Sequence, residues 1–133
     1  MKTAVDSSIL LDLLLDDPKY VSKSAGLLTR ARSEGALLIC ETVVAEISPV
    51  LPSGVLDHFL ADMEIKFEPS TYESACLAGR IFSEYLKKGG QRGRVLADFI
   101  IGAHAKCTCD RLLARDRGYF RKYFQGLEIL ESS

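Results

Sequence analysis

The sequence predicts an α/β domain, a parallel sheet covered on both faces by helices. Two observations carry this. Apolar runs of strand length alternate along the chain with longer segments of helical periodicity, and strands separated by helices of ten or more residues build parallel sheets. The run over residues 36–40, Ala-Leu-Leu-Ile-Cys, is continuously apolar yet too short for a helix, which is how a strand buried on both faces reads. At 133 residues the chain has the size of one domain, so residues 1–133 are expected to form a single unit around one core.

Residues 2–6 read as a short strand ending in the carboxylate of Asp6, and Ser7 is placed to cap a helix carrying Ile9, Leu10, Leu13 and Leu14. Asp17-Pro18 breaks that helix, and a second amphipathic segment runs from about Tyr20 to Arg32 and stops at Gly35. After the strand at 36–40 a helical pattern starts at Thr42, with Val43, Ile47 and Val50 spaced for one face, until Pro49 and Pro52 interrupt it. A helix over 53–63, a short strand over 65–67 and a long helix opened by Pro69 and ending near Lys88 follow. Residues 89–94, Gly-Gly-Gln-Arg-Gly-Arg, read as a flexible basic loop. The remainder reads as a helix over 95–106, a strand over 111–114, a helical turn over 118–124 and a last strand over 127–130.

Composition narrows the function classes. Hydrophobic residues at 47% and charged residues at 26% match globular averages and exclude disordered, collagen-like and coiled-coil readings. The apolar start of the chain is split by Asp12, so nothing approaches the ~18 apolar residues of a membrane span. Asp6, Asp12, Asp16 and Asp17 fit a secretory signal poorly, so the protein is expected to stay in the cytoplasm. Cys40, Cys76, Cys107 and Cys109 contain no Cys-x-x-Cys pair and are expected to be reduced structural thiols rather than zinc ligands. His58 and His104 have no motif partner and are expected at surface or partly buried structural positions.

The net charge of −1 hides an asymmetry. Residues 1–86 hold seven Lys/Arg against 13 Asp/Glu, a balance of −6, whereas residues 87–125 hold ten against three, a balance of +7. The basic stretch contains Lys87, Lys88, Arg92, Arg94, Lys106, Arg111, Arg115, Arg117, Arg121 and Lys122, a phosphate-binding footprint if these share a face and an ordinary solvated surface if they do not.

Four carboxylates stand out: Asp6 after the first strand, Glu46 one turn into a helix, Asp98 in the first turn of a helix, and Asp116 just past the strand at 111–114. Each has apolar neighbours, and an acid embedded in an apolar segment needs a base or a cation beside it. Taken singly, each is equally what a helix cap, a first-turn acid or an exposed helix position requires. Taken together, two lie at strand ends and two near helix starts, and ligands of α/β sheets bind outside the carboxyl ends of the strands. Four carboxylates gathered there repel one another unless a divalent metal neutralises them, and oxygen-only donors favour Mg²⁺ or Mn²⁺. Gly102 lies on the same helical face as Asp98, where close helix–sheet packing accounts for it.

These residues resemble the PIN-domain ribonucleases, and in particular the VapC-type toxins of prokaryotic toxin–antitoxin pairs. The resemblance runs over nearly the whole chain. It is carried by Ala4-Val5-Asp6-Ser7-Ser8-Ile9-Leu10, by Thr42-Val43-Val44-Ala45-Glu46-Ile47, by Ala97 to Ala105 around Asp98, and by Arg111 to Phe120 around Asp116. It implies a three-layer α/β/α sandwich around a parallel sheet, with Asp6, Glu46, Asp98 and Asp116 as the acidic catalytic quartet. It further implies one or two Mg²⁺ or Mn²⁺ ions held mainly by Asp6, Asp98 and Asp116, which activate water to hydrolyse RNA. Glu46 would complete the ligand ring or orient the water, and Ser7 would donate a hydrogen bond behind the ligands. Arg92 and Arg94 in the loop, with Arg115 and Arg117 beside Asp116, would hold the RNA backbone by charge. The family also implies a homodimer and a small antitoxin that wraps the toxin, for which apolar residues in the helices after Tyr20 and Ser53 would form a groove. Two positions depart from the family pattern: Asp6-Ser7-Ser8 stands where many members have Asp-Thr-Asn, and Ala114 where many have Thr. The alternatives are a PIN-like RNA-binding or scaffold protein without turnover and, less in keeping with Ser8 two residues after Asp6, a phosphatase with an aspartyl nucleophile.

Overall fold

The computed structural model describes residues 1–93, 95–115 and 118–131. Its elements are β1 (Lys2–Val5), α1 (Ser7–Leu14), α2 (Val21–Glu34), β2 (Ala36–Ile39), α3 (Glu41–Ile47) with a 3₁₀ turn at Ser48–Val50, α4 (Leu56–Asp62), β3 (Ile65–Phe67), α5 (Tyr72–Lys87), α6 (Val95–Thr108), β4 (Arg111–Leu113), α7 (Tyr119–Tyr123) and β5 (Glu128–Leu130). The five strands form one sheet in the order β3-β2-β1-β4-β5, parallel throughout. In β1 and β2 every residue after the first is buried, and in β4 all three are. Successive strand side chains point to opposite faces, so helices cover both sides of the central strands, and the fold is the expected α/β/α sandwich.

The core is assembled from Ile9 and Leu10 of α1, Leu28 and Ala31 of α2, Val43 and Ile47 of α3, and Phe99, Ile101, Ala103 and Ala105 of α6, packed on Val5, Leu37, Ile39 and Leu112. Two glycines serve close approaches. Gly35 ends α2 at φ 156°, where an added Cβ would lie 1.8 Å from the Met1 carbonyl oxygen, the acceptor for the Ala36 amide that opens the β1–β2 ladder. At Gly102 a Cβ would meet the Phe124 ring at 2.4 Å, so the close approach there is to the C-cap residue of α7 rather than to the sheet.

Several boundaries differ from the sequence reading for local reasons. Helix α1 is capped by Asp6 rather than Ser7: the Asp6 carboxylate accepts from the Ser8 amide, and Ser7 is the first helical residue. Helix α4 starts at Leu56, not residue 53, because Gly54 adopts φ 82° and opens the chain there. Helix α5 starts three residues after Pro69, at a capping box in which Thr71 and Ser74 each accept the other's backbone amide at 3.0 Å.

The cysteines are free, Cys40 buried and Cys76 and Cys107 exposed. No helix among the described residues is long and apolar enough to cross a membrane. His104 corrects the expectation of a surface or partly buried histidine. It is 1% exposed on α6, its Nε2 has no hydrogen-bond partner among the described residues, and burial holds its imidazole below the usual value despite the nearby charges of Glu41 and Glu68. A histidine kept neutral by folding binds fewer protons folded than unfolded just below pH 6.5, so its stability contribution is complete above that pH and falls as the medium is acidified. The expected result is a urea midpoint that drops from pH 7 to pH 5.5 more in the wild type than in His104→Gln; equal slopes would remove His104 as the cause.

Candidate active site

The strand order reverses direction at β1, from which the chain winds outward to β2 and β3 on one side and to β4 and β5 on the other. The gap outside the carboxyl ends of β1 and β4 is therefore the switch point at which open α/β sheets bind ligands. Asp6 is the residue that follows β1, and its amide donates to the Leu113 carbonyl at the end of β4 (2.9 Å), which ties the two strand ends together.

A cleft of about 510 Å³ opens at this point. Asp6, Ser7, Ser8, Asp12 and Asp17 line it from the β1–α1 side, Ala45, Glu46 and Pro49 from α3 and its turn, Asp98 from α6, and Arg115, Tyr119 and Phe120 from the segment after β4. Three of the four carboxylates singled out in the sequence thus share one cleft. Asp116, with Arg94 and Arg117, lies outside the described residues. Among the described residues no three His, Cys, Asp or Glu side chains form a metal-holding cluster, so Asp6, Glu46 and Asp98 face a common space without converging on one point.

The three acids differ in environment. Asp6 is 5% exposed and its Oδ2 accepts from the Ser8 hydroxyl at 2.5 Å. Burial pushes its carboxyl above the usual aspartate value; the Ser8 bonds oppose the rise and the charge of Glu46 adds to it. Glu46, expected to be embedded, is exposed, because Val43 and Ile47 form the buried stripe of α3 and Glu46 falls outside it. Its Oε1 accepts from the Ser7 hydroxyl at 2.9 Å. Asp98 is half-buried in the first turn of α6. The donor set is oxygen throughout, and the rise imposed on Asp6 by burial and Glu46 is what a nearby cation would reverse, so the cleft fits a hard divalent ion.

The basic stretch does not form one face. Arg111 is 2% exposed inside β4, where its Nε donates to Thr3 Oγ1 (2.9 Å) and its Nη2 to the exposed Glu34 (2.8 Å), so it is buried in an ion pair and not part of a phosphate footprint. Arg121 pairs with Glu131, and Lys106 Nζ donates to the Gln125 carbonyl at 3.2 Å. Arg92 is exposed, with its guanidinium 6.0 Å from the centre of the Phe82 ring. Arg115 does border the cleft, but two of its nitrogens are taken up by Asp12, at 2.8 and 3.0 Å. Asp12 went unrecognised as a cleft residue. Its signal was present, since an acid on the apolar side of α1 needs a partner there, but the partner stands 103 positions away.

A parallel α/β/α sandwich with an acid-lined cleft at its switch point is the fold and site this chain presents. The family model described as "PIN domain" matches residues 3–125, and the chain belongs to that family. A search of curated proteins finds no match in sequence. Among solved structures, VapBC2 from Rickettsia felis bound to a DNA fragment from their promoter contains a chain similar to this one at 18% identity and a TM-score of 0.73, with 100% of each chain covered. Chains of VapBC-1 from nontypeable Haemophilus influenzae (15% identity, TM-score 0.71, 98% of each chain) and of FitAcB from Neisseria gonorrhoeae (20%, 0.61, 96% of each) share the fold.

Proposed function

We propose that the protein is a divalent-metal-dependent endoribonuclease and the toxin of a toxin–antitoxin pair. The observation that carries the reading is the meeting of Asp6, Glu46 and Asp98 in one cleft at the switch point of a PIN-family fold. Asp6 and Asp98, with Asp116, would hold Mg²⁺ or Mn²⁺, which would supply a water of lowered pKa and positive charge beside the phosphate. The chain's own groups prepare that site. Ser8 holds the Asp6 carboxylate in one orientation, and Ser7 holds Glu46, which would complete the ligand ring or orient water. Arg92, exposed and not among the residues that line the cleft, would attract the RNA backbone by charge, the role also proposed for Arg94 and Arg117.

Partner and assembly belong to the same proposal. The VapBC structures are complexes, and a second groove of about 460 Å³ between the end of α2 and α4, lined by Arg32, Leu60, Ala61, Glu64 and Ile65, supports docking of an apolar antitoxin segment. We further propose a homodimer in the cytoplasm, which light scattering at working concentration tests. A second reading, a PIN-like scaffold without turnover, draws on the lack of a three-acid metal cluster among the described residues.

The deciding experiment incubates purified protein with structured RNA, with and without Mn²⁺ or Mg²⁺, beside Asp6→Asn prepared identically. Metal-dependent cleavage that disappears in the variant supports the nuclease. Absence of both cleavage and Mn²⁺ binding moves the reading to the scaffold.

A further inference from the structure

We infer that Arg115 is a positioning residue rather than an RNA-gripping one: with the buried Asp12 it forms a partly buried clamp that joins the segment after β4 to α1 and, through Ser8, sets the Asp6 carboxylate. The inference deepens the nuclease reading and rests on it. Asp12 is 2% exposed and faces three donors, Arg115 Nε at 3.0 Å, Arg115 Nη2 at 2.8 Å and the Ser24 hydroxyl at 2.6 Å. The paired nitrogens make a fork-on-carboxylate contact, which fixes orientation as well as distance. The guanidinium lies 4.0 Å from the centre of the Tyr20 ring. Turning it toward a phosphate would strip a buried carboxylate of its counter-charge, so the clamp and an RNA grip through the same two nitrogens exclude each other.

The clamp reaches the site through the backbone. The Arg115 amide donates to the Ser8 hydroxyl oxygen at 3.4 Å, and that hydroxyl donates to Asp6 Oδ2 at 2.5 Å. Asp116, the next residue in the chain, is joined covalently to the clamped one. Groups that hold metal ligands in place typically change metal affinity 10- to 100-fold when removed, without touching the metal.

The test compares Arg115→Gln, Arg115→Lys, Asp12→Asn and the double variant Asp12→Asn/Arg115→Gln with wild type, each assayed well below its own unfolding midpoint. Lysine keeps a cation for phosphate but loses the fork. The clamp predicts that Arg115→Lys and Arg115→Gln lose kcat alike, about 10- to 100-fold, with KM and the salt dependence of RNA binding unchanged. It predicts a matching loss in Asp12→Asn and a double variant no worse than either single one, together with Mn²⁺ affinity weakened about tenfold by paramagnetic titration. It also predicts amide exchange at Asp6 and Arg115 at least about tenfold faster in the metal-free variants. A phosphate grip gives the opposite pattern: Arg115→Lys near wild type, Arg115→Gln with raised KM and a salt slope reduced by about one, and Asp12→Asn binding RNA more tightly. That pattern overturns the inference. A wild type that neither cuts RNA nor binds Mn²⁺ sinks the nuclease reading instead, and the exchange of the Asp6 and Arg115 amides then decides the clamp by itself.

Discussion

Asp6→Asn is expected to raise the thermal midpoint of the metal-free protein at neutral pH and, on the proposed nuclease function, to remove metal-dependent RNA cleavage. Asp6 carries a carboxylate that burial disfavours in its charged form, so its folded-state value stands above the ordinary 3.8. A group raised in this way binds more protons folded than unfolded as pH climbs from 3.8, and its contribution to stability is present below that pH and lost as pH rises through the folded value. Asparagine removes the charge yet still accepts from the Ser8 amide as a helix cap, and Asn ranks with Asp in that role. We expect a gain of about 1 kcal/mol, or roughly 4 °C, in calorimetry with chelator present at pH 7, shrinking toward zero near pH 3.5.

The same substitution is expected to cost cleavage by a factor of about 10² to 10³ or more, the scale on which preorganised charge at a reacting phosphate contributes. Mn²⁺ inverts the stability comparison. Ligand that binds only the folded state adds about 2.7 kcal/mol at a hundredfold excess over its dissociation constant, and Asp6→Asn forfeits that increment. A variant less stable than wild type in chelator at pH 7 would mean that the buried carboxylate is compensated inside the fold, and the case for a cation at this position would weaken accordingly.

The parts of this molecule that were legible in its sequence are those decided by near neighbours. Strand β2 is buried on both faces and so reads as a short continuous apolar run, β1 and β4 end in apolar residues after Lys2-Thr3 and Arg111, and the helices between the strands dictate a parallel sheet. From that follows the position of Asp6 at a strand end and its encounter with Asp98 and Glu46 in one cleft. What was illegible depends on partners distant in sequence. Arg111 reads as one more charge in a basic stretch, yet its partners are Thr3 and Glu34, 108 and 77 positions away, and they carry it into the core. Arg115 reads as a hand for RNA and is spent on Asp12, which itself reads only as a break in an apolar run. His104 fails for another reason: residues 101–105 of α6 are buried without interruption, so no polar face marks where a histidine should emerge.

Phe99→Ala should act in the reverse sense to Asp6→Asn, unfolding the protein while sparing its chemistry. Phe99 follows Asp98 on α6, is fully buried, and lies at the centre of an aromatic cluster. Ring centres of Tyr123 and Tyr85 stand 5.2 and 5.5 Å from its own, and those of Tyr119, Phe82 and Phe124 at 6.1 to 6.3 Å. Neighbours that hold one another edge-to-face do not collapse readily into the space of a missing ring, so the lost transfer energy and the cavity both count. The expected cost is about 3–5 kcal/mol, against the roughly 5–15 kcal/mol that stabilises a domain of this kind, and a midpoint lower by on the order of 15 °C. Phe99→Leu, which keeps most of the volume, should cost less than half as much. Because small domains unfold as a unit, the molecules that remain folded should retain their site, and cleavage per folded molecule measured in the cold should lie within a few-fold of wild type. Phe99→Ala protein that stays folded by near-ultraviolet dichroism but has lost cleavage a hundredfold would show that the aromatic cluster sets the orientation of Asp98 directly, and α6 would then count as part of the catalytic apparatus rather than its support.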